Sequence, residues 1–273
     1  IAIYMNYAMH AVTLFLRGDV TGDFPGEAER YVENVYDGQM VAIWSSAAAG
    51  DQNPLHLRAI RPITAVKIQH EMDPAKAGQA GKAEQNGAID RLMHGKARYK
   101  DIPPDPKLKE QSTEVMQSMG RLMAEEVLRV VANTRRYASS GPIDGSSATV
   151  TCPGRKRLDN AREGVAGSYE RADPVTLHIG QLRIGDIAFG RANAELYTGI
   201  GMRLKEESPF THTLMVTLAD GAANTGYVPT DDAFGRYTFQ VLSSRLQPGC
   251  AERGIVNGIV DLMEKDVAVT PSR

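Results

Sequence analysis

Apolar positions fall into short runs and alternating stretches that predict β-strands. The first runs are continuous and β-prone, as buried strands are, and the later ones are separated by Gly180 and Gly185, which we expect to act as breakers. A loop is predicted over 220–227. The predicted strands cover residues 1–7, 40–46, 146–151, 175–179, 182–189 and 213–218.

Helical periodicity marks four other segments, predicted at 25–35, 107–136, 193–207 and 255–265. Pro25 suits the first helical position, and Asp23 before it is expected to act as a turn or cap residue. In the longest helix, apolar residues recur at three- and four-residue spacing, which predicts a stripe packed in the core. These residues are Val115, Met119, Leu122, Met123, Val127, Val130 and Val131.

The order of strands, loops and helices predicts an α/β fold, a layered mixed sheet with flanking helices and a site on loops at strand ends. Residues 73–106 are rich in Ala, Gly and Lys and close with three prolines, which suggests a peripheral insertion. The remaining chain shows no internal repeat. We therefore predict a single domain over 1–273, interrupted by that insertion.

Composition and charge exclude several classes of protein. The formal net charge is -2, so no basic excess is present for binding nucleic acid. Cys152 and Cys250 lie outside any Cys-x-x-Cys pair, which argues against a cysteine-built zinc site, and they could form one bridge or stay reduced. No apolar run reaches about eighteen residues. The chain opens without Met and without the features of a signal peptide, which suggests a truncated or processed start.

Candidate catalytic chemistry is not marked by a short motif. The six histidines form no His-x-x-x-His pair, and neither a Gly-x-Ser-x-Gly elbow nor a glycine-rich phosphate loop occurs. A metal site would therefore have to combine residues distant in sequence. His10 stands out because it follows a predicted buried strand, although a lone histidine is more often a structural residue.

Several fragments occur in an order that resembles the neutral/alkaline ceramidase family. They span most of the chain, from Ile1 to about Tyr237. The fragments are Asn6-Tyr7-Ala8-Met9-His10, Gly22-Asp23-Phe24-Pro25-Gly26, Ala49-Gly50-Asp51-Gln52-Asn53-Pro54, Ala194-Glu195-Leu196, Asn224-Thr225-Gly226-Tyr227-Val228-Pro229-Thr230 and Gly235-Arg236-Tyr237.

The resemblance implies a zinc amidase that cleaves the N-acyl bond of ceramide to fatty acid and sphingosine. It implies that His10, Glu195 and Tyr227 hold Zn2+, together with a further histidine from a His-Thr-His stretch upstream of this sequence. It also implies that Tyr237 assists a developing oxyanion. A substrate of this kind suggests peripheral contact with a membrane, and family members are commonly secreted or membrane-associated.

One departure concerns the loop at Asp51 and Asn53, both candidate catalytic residues. Ceramidases carry Gly-Asp-x-Ser-Pro at this loop, and Asn53 stands where the serine would be. An asparagine amide can donate to an oxyanion but cannot act as a nucleophile. A hydrogen-bonded turn is the other reading of this pair. Three functions remain open: an N-acyl lipid amidase, a hydrolase of a non-lipid amide, and a non-catalytic binding protein.

Overall fold

A computed structural model of the chain describes residues 2–14, 20–55, 106–135, 139–160, 163–221 and 223–269. The predicted insertion at 73–106 lies outside the described residues, apart from its last residue, Pro106. The strands are β1 (Ala2–Tyr7), β2 (Val41–Ser46), β3 (Ile143–Arg157), β4 (Tyr169–Ile184), β5 (Ile187–Ala192), β6 (Glu195–Leu196), β7 (His212–Val216) and β8 (Tyr227–Val228). The helices are α1 (Asp23–Val35), α2 (Pro106–Asn133), α3 (Thr198–Glu207), a 3-10 turn (Asp231–Arg236), α4 (Phe239–Ser243) and α5 (Ala251–Val269).

The predicted fold class, α/β with a mixed sheet and flanking helices, is confirmed. The strand order in the main sheet is β3-β4-β5-β7, antiparallel except for the parallel pair β5–β7. Two further two-stranded sheets are formed by β1 with β2 and by β6 with β8. The chain divides into two compact units, and the prediction of a single domain stays a prediction.

The first unit contains residues 1–3, 11–43 and 53–133. Within it α1 packs against α2. Asp23 begins α1 in a left-handed conformation (φ 52°), and its buried carboxylate accepts hydrogen bonds from the Phe24 and Leu14 backbone N–H groups at 2.8 and 2.9 Å. Asp23 thus lies in the turn that starts α1, as predicted, whereas the N-cap residue of the helix is Gly22.

The core-facing stripe of α2 differs from the predicted one. Leu122 and Val130 are 73% and 50% exposed, so their assignment to the core was wrong. The other residues of the predicted stripe are half-buried. The line of fully buried positions lies beside them, at four-residue spacing, and consists of Ser112, Met116, Gly120 and Ala124. Small residues dominate this line because the backbone of α1 approaches closely there.

Gly120 is the point of closest approach between α1 and α2. A Cβ atom at this position would lie 2.5 Å from Glu27 Cβ and 2.8 Å from the Phe24 carbonyl oxygen. Gly120→Ala is therefore expected to lower the free energy of unfolding by about 1–3 kcal/mol, because overpacking outweighs the usual gain in helix propensity. Urea denaturation beside the exposed control Ser118→Ala measures the change. A Gly120→Ala protein as stable as wild type would contradict the packing of these helices.

The second unit contains residues 4–10, 44–52 and 134–273. Helix α5 covers one face of its main sheet, and two glycines permit the contact. A Cβ atom at Gly254 would meet Val150 at 2.6 Å, and one at Gly258 would meet Ile179 at 2.5 Å. The core between helix and sheet includes Leu177, Ile179, Ile255, Ile259 and Met263, all buried.

Two glycines predicted to break strands behave differently. Gly185 has φ 63° and lies in the turn that separates β4 from β5 inside the predicted strand 182–189. Gly180 was wrongly predicted as a breaker, because β4 continues through it. Its Cβ would lie 2.7 Å from Arg191 Nε and 2.8 Å from the Ser146 carbonyl oxygen, so glycine is required there by close approach of neighbouring strands.

Cys152 and Cys250 form a disulfide, which resolves the two alternatives left by the sequence. Cys152 lies on β3, where it is fully buried, and Cys250 directly precedes α5. The bond therefore joins the main sheet to the start of the helix that covers it.

Candidate metal centre

The candidate metal ligands lie in the second unit, one in the loop after β1 and two on the paired strands β6 and β8. His10 follows β1 by three residues, and its backbone N–H donates to the Gln52 carbonyl oxygen at 2.9 Å. This bond ties the loop after β1 to the loop after β2. Asn6 Nδ2 donates to the Met215 carbonyl oxygen at 2.9 Å and so fixes the end of β1 beside β7.

Glu195 and Tyr227 are direct partners in the short parallel ladder of β6 and β8. Residues paired across adjacent strands direct their side chains to the same face. The predicted helix over 193–207 was wrong at its start, because Glu195 and Leu196 are extended and α3 begins only at Thr198. The predicted loop 220–227 likewise ends in strand at Tyr227. Two-residue strands carry no periodicity by which sequence analysis could find them.

The three side chains of His10, Glu195 and Tyr227 are brought together. His10 Nε2 lies 3.8 Å from Glu195 Oε2, and the two side chains are 19% and 32% exposed. The imidazole also meets the Tyr227 ring edge-on, with ring centroids 6.0 Å apart. His10 Nε2 is buried and has no hydrogen-bond partner within the described part of the chain.

An unpartnered buried imidazole nitrogen beside a carboxylate suits a metal ion. Zinc binds histidine nitrogen and carboxylate oxygen at roughly 2.0–2.2 Å, which separates two ligand atoms on a tetrahedral ion by about 3.4 Å. The distance of 3.8 Å between His10 Nε2 and Glu195 Oε2 is close to that value. Among the described residues no group of three or more His, Cys, Asp or Glu side chains could hold a metal. A site here would thus rely on a ligand of another type, such as Tyr227.

Asp51 lies beside this centre as a helix-capping residue. Its Oδ1 accepts hydrogen bonds from the Thr198 backbone N–H at 2.8 Å and from the Thr198 hydroxyl at 2.9 Å, at the first residue of α3. The Gly50 backbone N–H donates to the Leu196 carbonyl oxygen at 2.7 Å. A Cβ at Gly50 would lie 2.9 Å from that same oxygen, so glycine permits the loop to pack against β6.

Asn53 and Tyr237 are placed differently from the other predicted site residues. Asn53 is exposed and belongs to the first unit. Tyr237 follows the 3-10 turn in a left-handed conformation (φ 49°), which is uncommon for a bulky residue. The Tyr237 carbonyl oxygen accepts a hydrogen bond from the Gly164 backbone N–H at 2.9 Å.

Two aromatic residues near the centre were missed by sequence analysis. The Phe239 ring contacts the Tyr227 ring edge-on at 6.1 Å between centroids. Tyr197 directly precedes α3, and its hydroxyl shares a hydrogen bond of 3.0 Å with the Thr238 hydroxyl. Burial raises the pKa of the Tyr197 phenol, and the hydrogen bond with Thr238 opposes that rise. Tyr197 directly follows one motif and Phe239 lies two residues after another, so no motif included either.

Arg155 supports the segment that carries Phe239. Its guanidinium stacks on the Tyr169 ring at 3.9 Å from the centroid and donates to the carbonyl oxygens of Val241 and, at 3.0 Å, Ser244. The Ser244 hydroxyl in turn donates to the Tyr227 carbonyl oxygen at 2.8 Å. Burial lowers the pKa of the Arg155 guanidinium.

Comparison with known proteins identifies similar solved structures. A ceramidase complexed with C2 matches with a TM-score of 0.65 and 12% sequence identity, over 100% of this chain and 46% of that chain. A neutral ceramidase from Pseudomonas aeruginosa matches with a TM-score of 0.64 and 13% identity, over 100% of this chain and 45% of that chain. No protein-family model matches the sequence, and the search of curated proteins finds no significant match.

The chain therefore spans just under half the length of the solved structures that it resembles. Identity of 12–13% shows the fold rather than the activity. The resemblance expected from the sequence motifs is confirmed at the level of fold, and the fold of the chain is similar to just under half of a neutral ceramidase.

Proposed function

We propose that this chain contributes to a zinc-dependent amidohydrolase that cleaves an N-acyl amide of the ceramide type into a fatty acid and an amine. One observation carries the proposal, in a chain with a ceramidase-like fold. His10 Nε2 is buried, accepts or donates no hydrogen bond within the described residues, and lies 3.8 Å from Glu195 Oε2.

In this proposal His10, Glu195 and Tyr227 hold the zinc ion together with a further histidine, as the sequence resemblance implies. When bound, zinc supplies a water of lowered pKa and polarises a carbonyl group. The β6–β8 register keeps Glu195 and Tyr227 on one face, and the Gln52 carbonyl oxygen fixes the backbone of His10.

Asp51, Asn53 and Tyr237 remain proposed catalytic-site residues with unequal support. Asp51 would act by positioning, because its carboxylate caps the helix that follows Glu195. The amide of Asn53 could donate to an oxyanion, and the phenol of Tyr237 could do the same. The uncommon backbone conformation of Tyr237 supports a functional constraint at that residue.

Asn53 stands where ceramidases have serine, and this difference favours a second candidate: a hydrolase of a non-lipid amide, or a binding protein without activity. Low aromatic content, 6% of the chain, points the same way, because a lipid site usually has a large apolar wall.

Among the described helices none is long and apolar enough to cross a membrane. Peripheral contact with a membrane, which the family resemblance suggests, stays part of this proposal, and the disulfide favours an oxidising compartment such as the periplasm or cell exterior.

The test is hydrolysis of an N-acyl sphingosine beside an N-acyl amino sugar by protein that has been stripped of metal and then reloaded with zinc. We expect fatty acid to be released from the N-acyl sphingosine only after zinc is restored. Release from the amino sugar alone would favour the non-lipid amidase. Release from neither substrate, with zinc bound, would contradict the hydrolase proposal.

A further inference from the structure

A basic pocket lies in the second unit, at the end of the β3–β4 pair. Its volume is about 450 Å3, and the residues used here, which we call the arginine pocket, are Arg155, Lys156, Arg171, Asp173, Asn224 and Arg245. Four of these side chains are cations and one is a carboxylate. The chain as a whole has a formal net charge of -2, so this concentration of positive charge is local.

The shape of the pocket follows from an irregularity in the strand pairing. The register shifts between Cys152 and Gly154, and Gly154 pairs with Ala172. A Cβ atom at Gly154 would lie 1.9 Å from the Asp173 carbonyl oxygen, so the two backbones approach too closely for any side chain. Such irregularities often redirect side chains near binding sites.

Beyond the irregularity, two arginines occupy opposite positions on the paired strands. Arg155 and Arg171 are direct cross-strand partners, and like charges in that relation destabilise a sheet. The Arg155 guanidinium is held against the Tyr169 ring. Arg171 is exposed, and no ion pair to it occurs within the described residues.

Lys156 and Arg245 are the other two cations of the arginine pocket, and their partners leave the pocket with an excess of positive charge. Lys156 pairs with Glu170 at 3.1 Å, with both side chains largely exposed. Arg245 donates to the Asn224 side-chain oxygen, which is a neutral partner. Arg171 and Arg245 thus retain full positive charge toward the pocket.

From this arrangement we propose that the arginine pocket binds a phosphate-bearing ligand. Guanidinium groups match phosphate oxygens in a two-pronged geometry, and Arg171 and Arg245 line the pocket without a carboxylate partner among the described residues. A volume of about 450 Å3 exceeds the size of one phosphate group and leaves room for an attached organic group. The ligand is either a free phosphate ester or the headgroup of an anionic lipid.

Titration of the 273-residue chain with glycerol 3-phosphate, at constant ionic strength to separate binding from screening, tests the free ester. We expect Arg171→Gln to weaken binding at least tenfold. The control Arg253→Gln removes the same charge from an exposed position on α5 and is expected to bind as wild type does. Arg171 is exposed, so its replacement should leave the fold intact, and circular dichroism checks this.

Sedimentation with vesicles distinguishes the two sources of phosphate. Binding to phosphatidylglycerol vesicles but not to phosphatidylcholine vesicles, lost in Arg171→Gln, would assign the lipid headgroup. Binding of glycerol 3-phosphate without vesicle binding would assign the free ester. Absence of both, or equal weakening by Arg253→Gln and Arg171→Gln, would overturn the proposal.

Discussion

Glu195→Gln is expected to lower hydrolysis of the N-acyl sphingosine by more than about 100-fold, because loss of a hydrogen-bonding partner behind a metal ligand already costs 10–100-fold. Glutamine keeps the length of the side chain and its place in the β6–β8 ladder but loses the negative charge that faces His10 Nε2 at 3.8 Å. The initial rate of fatty-acid release, at saturating zinc, measures the effect.

The matched control for this substitution is Glu206→Gln. Glu206 is exposed on α3, in the same unit, and its replacement removes one carboxylate without touching the candidate centre. We expect its rate to equal that of wild type. If Glu195→Gln retained the wild-type rate, Glu195 would have no part in the reaction.

Loss of the Cys152–Cys250 disulfide is expected to have the largest effect on stability. The bond joins residues 98 apart in sequence. In the chain-entropy account, closing a loop of about 100 residues stabilises a protein by about 4.7 kcal/mol. For a unit of this size that corresponds to a fall in Tm on the order of 10–20 °C. Thermal unfolding of a Cys152→Ala/Cys250→Ala variant beside wild type measures it.

A reducing agent provides the control for the disulfide. It should lower the Tm of wild type to about that of the double variant and leave the variant itself unchanged. Equal Tm values for oxidised and reduced wild type would show that the cross-link does not constrain the unfolded chain.

The larger elements could be predicted from sequence because each is long enough to display a period. We predicted β1, β2 and α2 within a few residues of their observed bounds. The short strands of the candidate centre, β6 and β8, were not predicted. Glu195 was predicted in a helix because a two-residue strand is held by backbone hydrogen bonds to neighbouring segments rather than by its own pattern.

Packing features were harder still to predict. The sequence gives no indication of which side of α2 would accept a close neighbour, so Leu122 and Val130 were placed in the core while Gly120 was overlooked. Gly180 and Gly185 look alike in sequence, yet one permits a close strand contact and the other a turn. The ligand set His10, Glu195 and Tyr227 came from ordered motifs, since no local spacing unites residues so far apart.

The most direct test of the proposed centre is the zinc content of the protein after equilibrium dialysis against a competing chelator, for wild type, His10→Gln and Glu206→Gln. We expect one zinc per chain in wild type and in Glu206→Gln, and a loss of zinc affinity greater than about 100-fold in His10→Gln. Zinc retained equally by His10→Gln would contradict the assignment of His10 as a metal ligand, and zinc absent from wild type would contradict the proposed metal centre.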